Sequence, residues 1–287
     1  MHVFVTGATG WVGSAVIDEL LKGGHRVTGL VRSPGKAAPL TDAGVEVMQA
    51  TLDDLDALRR HAAAADAVIH TAFDHDFSRF AENAAQDRRA IEAMGRALEG
   101  TDKPIIVTSG LSGLPLNATE DDMPRPASPR MSEEAARSVA ERGVRVATVR
   151  LAPSVHGIGD HGFVPILVRT AREKGVSAYI DDGANRWSGV HRLDAARVFR
   201  LALESGVTEP VYHAVADESV PFSQIAEVIG RHLDVPVESR PAAHFGWFAG
   251  MAGGDMAVSS ANTRSRLGWT PEQPTLLEDL DRADYYA

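Results

Sequence analysis

Val3-Phe4-Val5-Thr6-Gly7-Ala8-Thr9-Gly10-Trp11-Val12-Gly13 sets a short β-branched run directly against three glycines spaced three apart. The run reads as a strand, Val3–Thr6, and the residues beyond the glycines, Val12–Lys22, carry apolar side chains at helical spacing. In such a loop the first glycine permits a tight turn, the second lets backbone approach a phosphate, and the third lets helix and sheet pack closely. The helix that follows aims its N-terminal N–H groups and positive dipole end at an anion. A glycine spacing alone says little; here a strand precedes it, a helix follows, and a second strand, Arg26–Val31, comes next. The loop therefore points to the pyrophosphate of a dinucleotide, with Gly7, Thr9, Gly10, Trp11, Val12 and Gly13 as its contacts.

Outward from this loop, strands and amphipathic helices alternate. Strands are predicted at Val45–Gln49, Ala67–His70, Ile105–Thr108 and Arg145–Arg150, and helices at Leu55–Ala63, Phe77–Leu98 and Ser132–Arg142. Six strands with crossovers on both faces predict an α/β fold, a doubly wound parallel sheet of Rossmann type. After Arg150 the alternation becomes irregular: a glycine-rich loop at His156–Gly162, helices at Val164–Lys174, Asp194–Glu204 and Phe222–His232, and a strand at Val211–Ala214. The expected division is a dinucleotide-binding core over 1–155 and, over 156–287, mainly a small substrate-binding lobe with elements returning to the core. Thr119–Pro129, with three prolines and three acids, reads as a loop.

The 287 residues are 44% hydrophobic, enough for a substantial core, and the formal net charge of -10 offers no basic stripe for nucleic acid. A small-molecule partner is expected. With no cysteine, disulfides and thiolate chemistry are excluded. The N-terminus runs straight into the first strand without a signal-like segment, and no apolar stretch approaches the roughly 20 residues of a membrane span. A cytoplasmic protein without membrane contact is the expectation, with a homodimer left open.

Cofactor choice is read where the second strand ends. A carboxylate there bonds the ribose 2′-OH of NAD, whereas an arginine accommodates the 2′-phosphate of NADP. From Val27 to Lys36 there is no acid. Arg32, Ser33 and Lys36 stand in its place, and they predict NADP(H).

The glycine loop, Ile69-His70-Thr71-Ala72, Val107-Thr108-Ser109-Gly110 and Val149-Arg150-Leu151-Ala152-Pro153-Ser154-Val155-His156-Gly157 together resemble the extended short-chain dehydrogenase/reductase family. Asn185–Ala196 is similar to its late strand-to-helix segment, and Arg264–Leu267 with Gly268-Trp269-Thr270-Pro271 to its C-terminal signature. The resemblance implies hydride transfer or related chemistry, and it places His70, Thr71, Ala72 and Pro153 beside the cofactor. It also implies a catalytic tyrosine with a lysine four residues later. The four tyrosines, Tyr179, Tyr212, Tyr285 and Tyr286, have no lysine at that spacing. Matched to the family's helix, Ser128–Ala135 puts Pro129 at the tyrosine position and Glu133 at the lysine position, so the chain reads as an atypical member.

Without that pair, an NADP(H)-dependent reductase remains the leading expectation, acting on a small carbonyl, enone or imine compound. An activated C=C or C=N bond needs no strong acid. The rivals are a non-catalytic NADP-binding sensor and a cyclase, isomerase or epimerase. His156 is the first candidate acid, being a histidine after the sixth strand. Ser109 or Ser112 could stand for the family's serine. Arg130 cannot donate a proton but can hold an oxyanion or carboxylate. No metal is expected, because Asp74-His75-Asp76 lacks a second helix-spaced ligand pair.

Overall fold

The computed structural model describes residues 1–125 and 129–286. Residues 126–128, within the predicted Thr119–Pro129 loop and including Ser128, lie outside the described residues. The strands are β1 (His2–Thr6), β2 (Arg26–Val31), β3 (Glu46–Gln49), β4 (Ala67–His70), β5 (Ile105–Gly110), β6 (Val146–Leu151), β7 (Ser154–His156), β8 (Ser177–Tyr179), β9 (Arg186–His191), β10 (Val211–Ala214), β11 (Asp217–Pro221) and β12 (Val237–Ser239). The helices are α1 (Trp11–Lys22), α2 (Ala38–Asp42), α3 (Leu55–Ala64), α4 (Phe80–Leu98), α5 (Ser132–Ala140), α6 (Phe163–Lys174), α7 (Arg192–Glu204), α8 (Phe222–Leu233), α9 (Ala249–Ala252), α10 (Ala261–Leu267) and α11 (Leu276–Leu280). None of the described helices is long and apolar enough to cross a membrane.

Two compact units emerge. The first comprises 1–109, 196–212 and the described part of 126–150; the second comprises 110–125, 151–195 and the chain from His213 onward. The first carries a seven-stranded sheet ordered β3-β2-β1-β4-β5-β6-β10. Successive pairs from β3 to β5 are parallel, with Val3 opposite Val27 on one side and Ala67 on the other. The order reverses between β1 and β4, which is where an open α/β sheet leaves a crevice at its carboxyl ends. β1 is buried over Val3–Thr6, with Val3, Phe4 and Val5 at its centre, because a central strand is covered on both faces.

The sequence predicted six strands and grouped Val211–Ala214 with the irregular C-terminal segments. That run is instead the seventh strand, beside β6, where Thr148 N–H donates to Pro210 O at 2.9 Å. Strand spacing along the chain cannot reveal a pairing made across 60-odd residues of other structure. His156 likewise closes β7 rather than opening a loop. The predicted helix at Phe77 begins as a 3₁₀ turn, Phe77–Arg79, capped by the Asp76 carboxylate, before α4 proper.

One face of the sheet packs Phe4, Val68 and Val107 against α3, α4 and α5 through Leu58, Ile91 and Val139. Helices α4 and α5 approach closely at Gly95, where a Cβ would stand 2.4 Å from a Val139 methyl. A buried ion pair ties α5 to β6: Arg150 donates through Nη2 and Nε to both oxygens of Glu133, at 2.6 and 3.0 Å. Arg150 is wholly buried and Glu133 nearly so, so removing one partner strands the other's charge in the core.

The second unit holds two small sheets, β11-β9-β7 and β12-β8, and its own core. Trp187 on β9 is fully buried against Phe222 and Phe248, its indole N–H donating to Met251 O at 3.1 Å. Trp269 follows α10 and donates to Asp194 O at 3.2 Å. The Asp194 carboxylate accepts from the N–H groups of Glu272 and Gln273, so α7's first turn anchors the C-terminal segment.

Glu133→Ala is expected to lower stability by about 3–5 kcal/mol, whereas Glu133→Leu with Arg150→Met recovers most of it; urea unfolding midpoints of the three proteins check this. Gly95→Ala is expected to lower Tm although alanine favours helix by about 1 kcal/mol, because overpacking against Val139 costs about 1–3 kcal/mol. The loss should shrink in a Val139→Ala background.

Candidate functional site

Glycine is obligatory where β1 meets α1. Gly7 adopts φ 71°, and a Cβ there would lie 2.7 Å from both Ala72 N and Thr71 Oγ1. On Gly13 a Cβ would lie 2.1 Å from Gly7 O, inside van der Waals contact. The turn is closed by Gly10 N–H donating to Gly7 O at 2.8 Å. Thr71 Oγ1 donates to Thr6 O at 2.7 Å, fastening the end of β4 to the end of β1. The result is a backbone cradle at the sheet's crossover point, with Thr9 and Gly10 exposed and Trp11 and Val12 partly so. Gly10, the N-cap of α1, supplies no side-chain cap, and the first turn carries no acid. Such a helix start accepts an anion, and the residues present fit a pyrophosphate.

Arg32 and Ser33 follow β2 directly, and Lys36 lies one 3₁₀ turn on. All three are exposed. Among the described residues no acid pairs with Arg32 or Lys36, so an exposed cationic group stands just beyond the carboxyl end of β2.

His70, expected beside the cofactor, is 1% exposed and is spent on a buried chain of hydrogen bonds. Ala72 N–H donates to Thr6 Oγ1 at 3.3 Å, and Thr6 Oγ1 lies 2.7 Å from His70 Nδ1. His70 Nε2 lies 2.8 Å from Asp87 Oδ1, and Ser132 Oγ donates to Asp87 Oδ2 at 2.5 Å. Arg130 Nε donates to Ser132 Oγ at 3.0 Å, and Arg130 Nη2 to Thr108 O at 3.3 Å. With the His70 proton on Nε2, a tautomer assigned from the network, the Thr6 hydroxyl donates to Nδ1 and Nε2–H donates to Asp87. The chain thus runs from the glycine loop to Arg130, whose guanidinium carbon sits 4.1 Å above the Phe73 ring. Burial pushes the Arg130 pKa below its ordinary value, partly offset by the Asp87 carboxylate.

Of the four residues considered for catalysis, Arg130 and Ser109 share the first unit, both next to Thr108. Ser109 is buried, whereas Ser112 belongs to the second unit and is exposed. His156 and the half-buried Pro153 also belong to the second unit. The His156 ring is fully buried: Nδ1 lies 2.8 Å from Asp279 Oδ2, Nε2 has no hydrogen-bond partner, and Asp217 Oδ2 is 3.8 Å away. Burial raises the pKa of Asp217 and lowers that of His191, whose ring meets His156 edge-on at 5.6 Å. Pro129 is exposed, and Glu133 faces Arg150. Tyr212, the tyrosine of the first unit, is fully buried and accepts from Glu209 N–H at 3.1 Å.

Sequence reading missed Asp87 and Ser132. The signal was present in α4, where Asn83 and Asp87 interrupt an otherwise apolar stripe of Ala84, Ala90, Ile91 and Met94. An acid on the buried face of a helix must have a polar partner.

The NAD dependent epimerase/dehydratase family matches residues 3–215. Over all of both chains the protein is 46% identical to an uncharacterized protein of Schizosaccharomyces pombe. A more distant relative is a 4-hydroxy-2-methyl-3-oxo-4-farnesyl-3,4-dihydroquinoline-1-oxide ketoreductase of Stigmatella aurantiaca, 25% identical over 86% of this chain and 80% of that one. Among solved structures, a dTDP-glucose 4,6-dehydratase of Streptomyces venezuelae with NAD bound has the same fold, with a TM-score of 0.78 at 19% identity over 100% of this chain and 96% of that one. The sheet order, the glycine cradle and these matches agree, and the chain belongs to the NAD dependent epimerase/dehydratase family.

Proposed function

We propose that the chain is an NADP(H)-dependent oxidoreductase that reduces a small carbonyl, enone or imine compound. The observation that carries this reading is the cationic group at the end of β2, Arg32 with Ser33 and Lys36, next to a glycine cradle kept clear by its own backbone contacts. Gly7, Gly10 and Gly13 would hold the pyrophosphate, and Arg32 and Lys36 the 2′-phosphate through charge-assisted bonds. Thr71 and Ala72 would form the opposite wall of the cofactor groove. When bound, the nicotinamide supplies or accepts hydride, and this chain's residues orient what reacts with it.

Arg130 stands in for the family's tyrosine by binding, not by proton transfer. It stays charged, and its place beside the end of β5 suits a substrate oxygen on which negative charge develops. We assign His156 to holding α11 through Asp279, since neither ring nitrogen reaches solvent. The proton then comes from solvent, which suits an activated double bond better than a plain ketone, because a positioned general acid is ordinarily worth about 10²–10⁴ in rate. The distant ketoreductase relative is in keeping with reduction as the type of reaction.

Arg32→Ser is expected to weaken NADPH about 10- to 100-fold while leaving NADH unchanged, read by fluorescence titration of both nucleotides. Comparable NADPH and NADH affinities in the parent protein would defeat the assignment of cofactor. Tight NADPH binding without consumption across carbonyl, enone and imine substrates would defeat the assignment of reaction.

A further inference from the structure

The loop between β4 and α4 is an aromatic surface fixed at both ends. Phe73 meets Phe80 at 5.6 Å, and Phe77 stacks on Phe80 at 6.0 Å with the rings 6° from parallel. Asn83, buried on α4, donates from Nδ2 to the carbonyls of Asp74 and Asp76 at 3.2 and 2.9 Å. The loop's two carboxylates are turned onto its own backbone: Asp74 accepts from Asp76 N–H, and Asp76 from Ser78 N–H, each at 3.0 Å. Phe77 nevertheless stands 36% exposed, an apolar ring that the fold presents and does not bury.

Arg130 lies against this surface with donors to spare. Its Nε–H goes to Ser132 and one Nη2 proton to Thr108 O, while Nη1 donates to nothing among the described residues. The Asp87 carboxylate is linked to the guanidinium through Ser132 Oγ, and no ion pair joins Arg130 to an acid among the described residues. A partly desolvated cation stacked on an aromatic ring and lacking a direct carboxylate partner gains most from a ligand that is anionic and flat. Its remaining N–H groups lie in the guanidinium plane, so an oxygen of a planar molecule can meet them while the rest of that molecule lies along the phenylalanines.

We infer that Arg130 and the Phe73–Phe80 loop form a subsite for the anionic oxygen of a planar conjugated molecule, either the enolate oxygen that develops when hydride adds to a conjugated carbonyl compound or the carboxylate of a conjugated acid that carries the reducible bond. This names the substrate class of the reductase proposed above and rests on that reading. Arg130 meets the charge, the phenylalanines meet the conjugated plane, and Asp87 and Ser132 are positioning residues that hold the guanidinium between them.

The probes are 4-nitrophenol, 4-nitrobenzoate and the neutral 4-nitroanisole, titrated into the full chain with and without NADP+. Bound 4-nitrophenol reports its own ionisation in the visible spectrum. The better-bound anion should exceed 4-nitroanisole by at least about tenfold, as expected for one hydrogen bond to a charged group. Preference for 4-nitrophenolate assigns an enolate-type oxygen, and preference for 4-nitrobenzoate a carboxylate. The ionisation midpoint of bound 4-nitrophenol should move to lower pH. Arg130→Gln should close the gap between anionic and neutral probes, Arg130→Lys should keep part of it, and Phe77→Leu should weaken all three probes equally. Equal affinity for anionic and neutral probes in the parent protein, or a gap that survives Arg130→Gln, overturns the inference. If Arg130→Gln does not fold by circular dichroism, the Arg130→Lys and Phe77→Leu proteins decide it: an undiminished gap in the first or undiminished affinity in the second overturns it. NADPH titration of the same samples separates this result from the cofactor reading, since the probes can discriminate whether or not the nucleotide binds.

Discussion

The ends of β1 and β4 come together more tightly than side chains would allow, and most of the first unit is arranged around that approach. Gly7 lies against Thr71 and Ala72, Gly13 against the Gly7 carbonyl, and the Thr71 hydroxyl locks the two strand ends together. Because β1 and β4 flank the reversal of strand order, this contact sets the walls of the crevice where a ligand of such a sheet must sit. A methyl group at either glycine would force the strands apart and tilt α1 away from the sheet.

The same contact begins a second structure of equal consequence. Thr6 is hydrogen-bonded to Ala72 on one side and His70 on the other, and from there polar contacts pass through Asp87 and Ser132 to Arg130. On α5 the carboxylate of Glu133 is fully engaged by Arg150 and contributes to cohesion. α5 presents Ser132 to the polar chain and Glu133, one residue on, to the core.

The first unit was legible because its signals are local. The boundaries of β2 and β4 are those the alternation predicts, since buried parallel strands are short apolar runs bounded by turn residues. β7, β8 and β12, three residues each, were not legible, for a three-residue strand has no periodicity to detect. The glycine cradle and the cationic end of β2 follow from spacing and order along the chain. The route from His70 to Arg130 does not, because it joins residues 45 positions apart between Asp87 and Ser132. His156 drew attention as a histidine in a familiar segment, but a sequence cannot say that its ring is enclosed beside Asp279.

Asn83 and Asp87 stand one turn apart on α4, and each governs a different neighbour: the first grips the aromatic loop, the second steadies Ser132 and through it Arg130. A single rigid helix therefore acts as a calliper whose jaws are the phenylalanine surface and the guanidinium. Their separation follows from the rise of one helical turn and does not depend on the slack of either loop. Divergence among relatives could redraw both jaws, altering what is gripped, while the gauge between them persisted as long as those two polar residues kept their spacing.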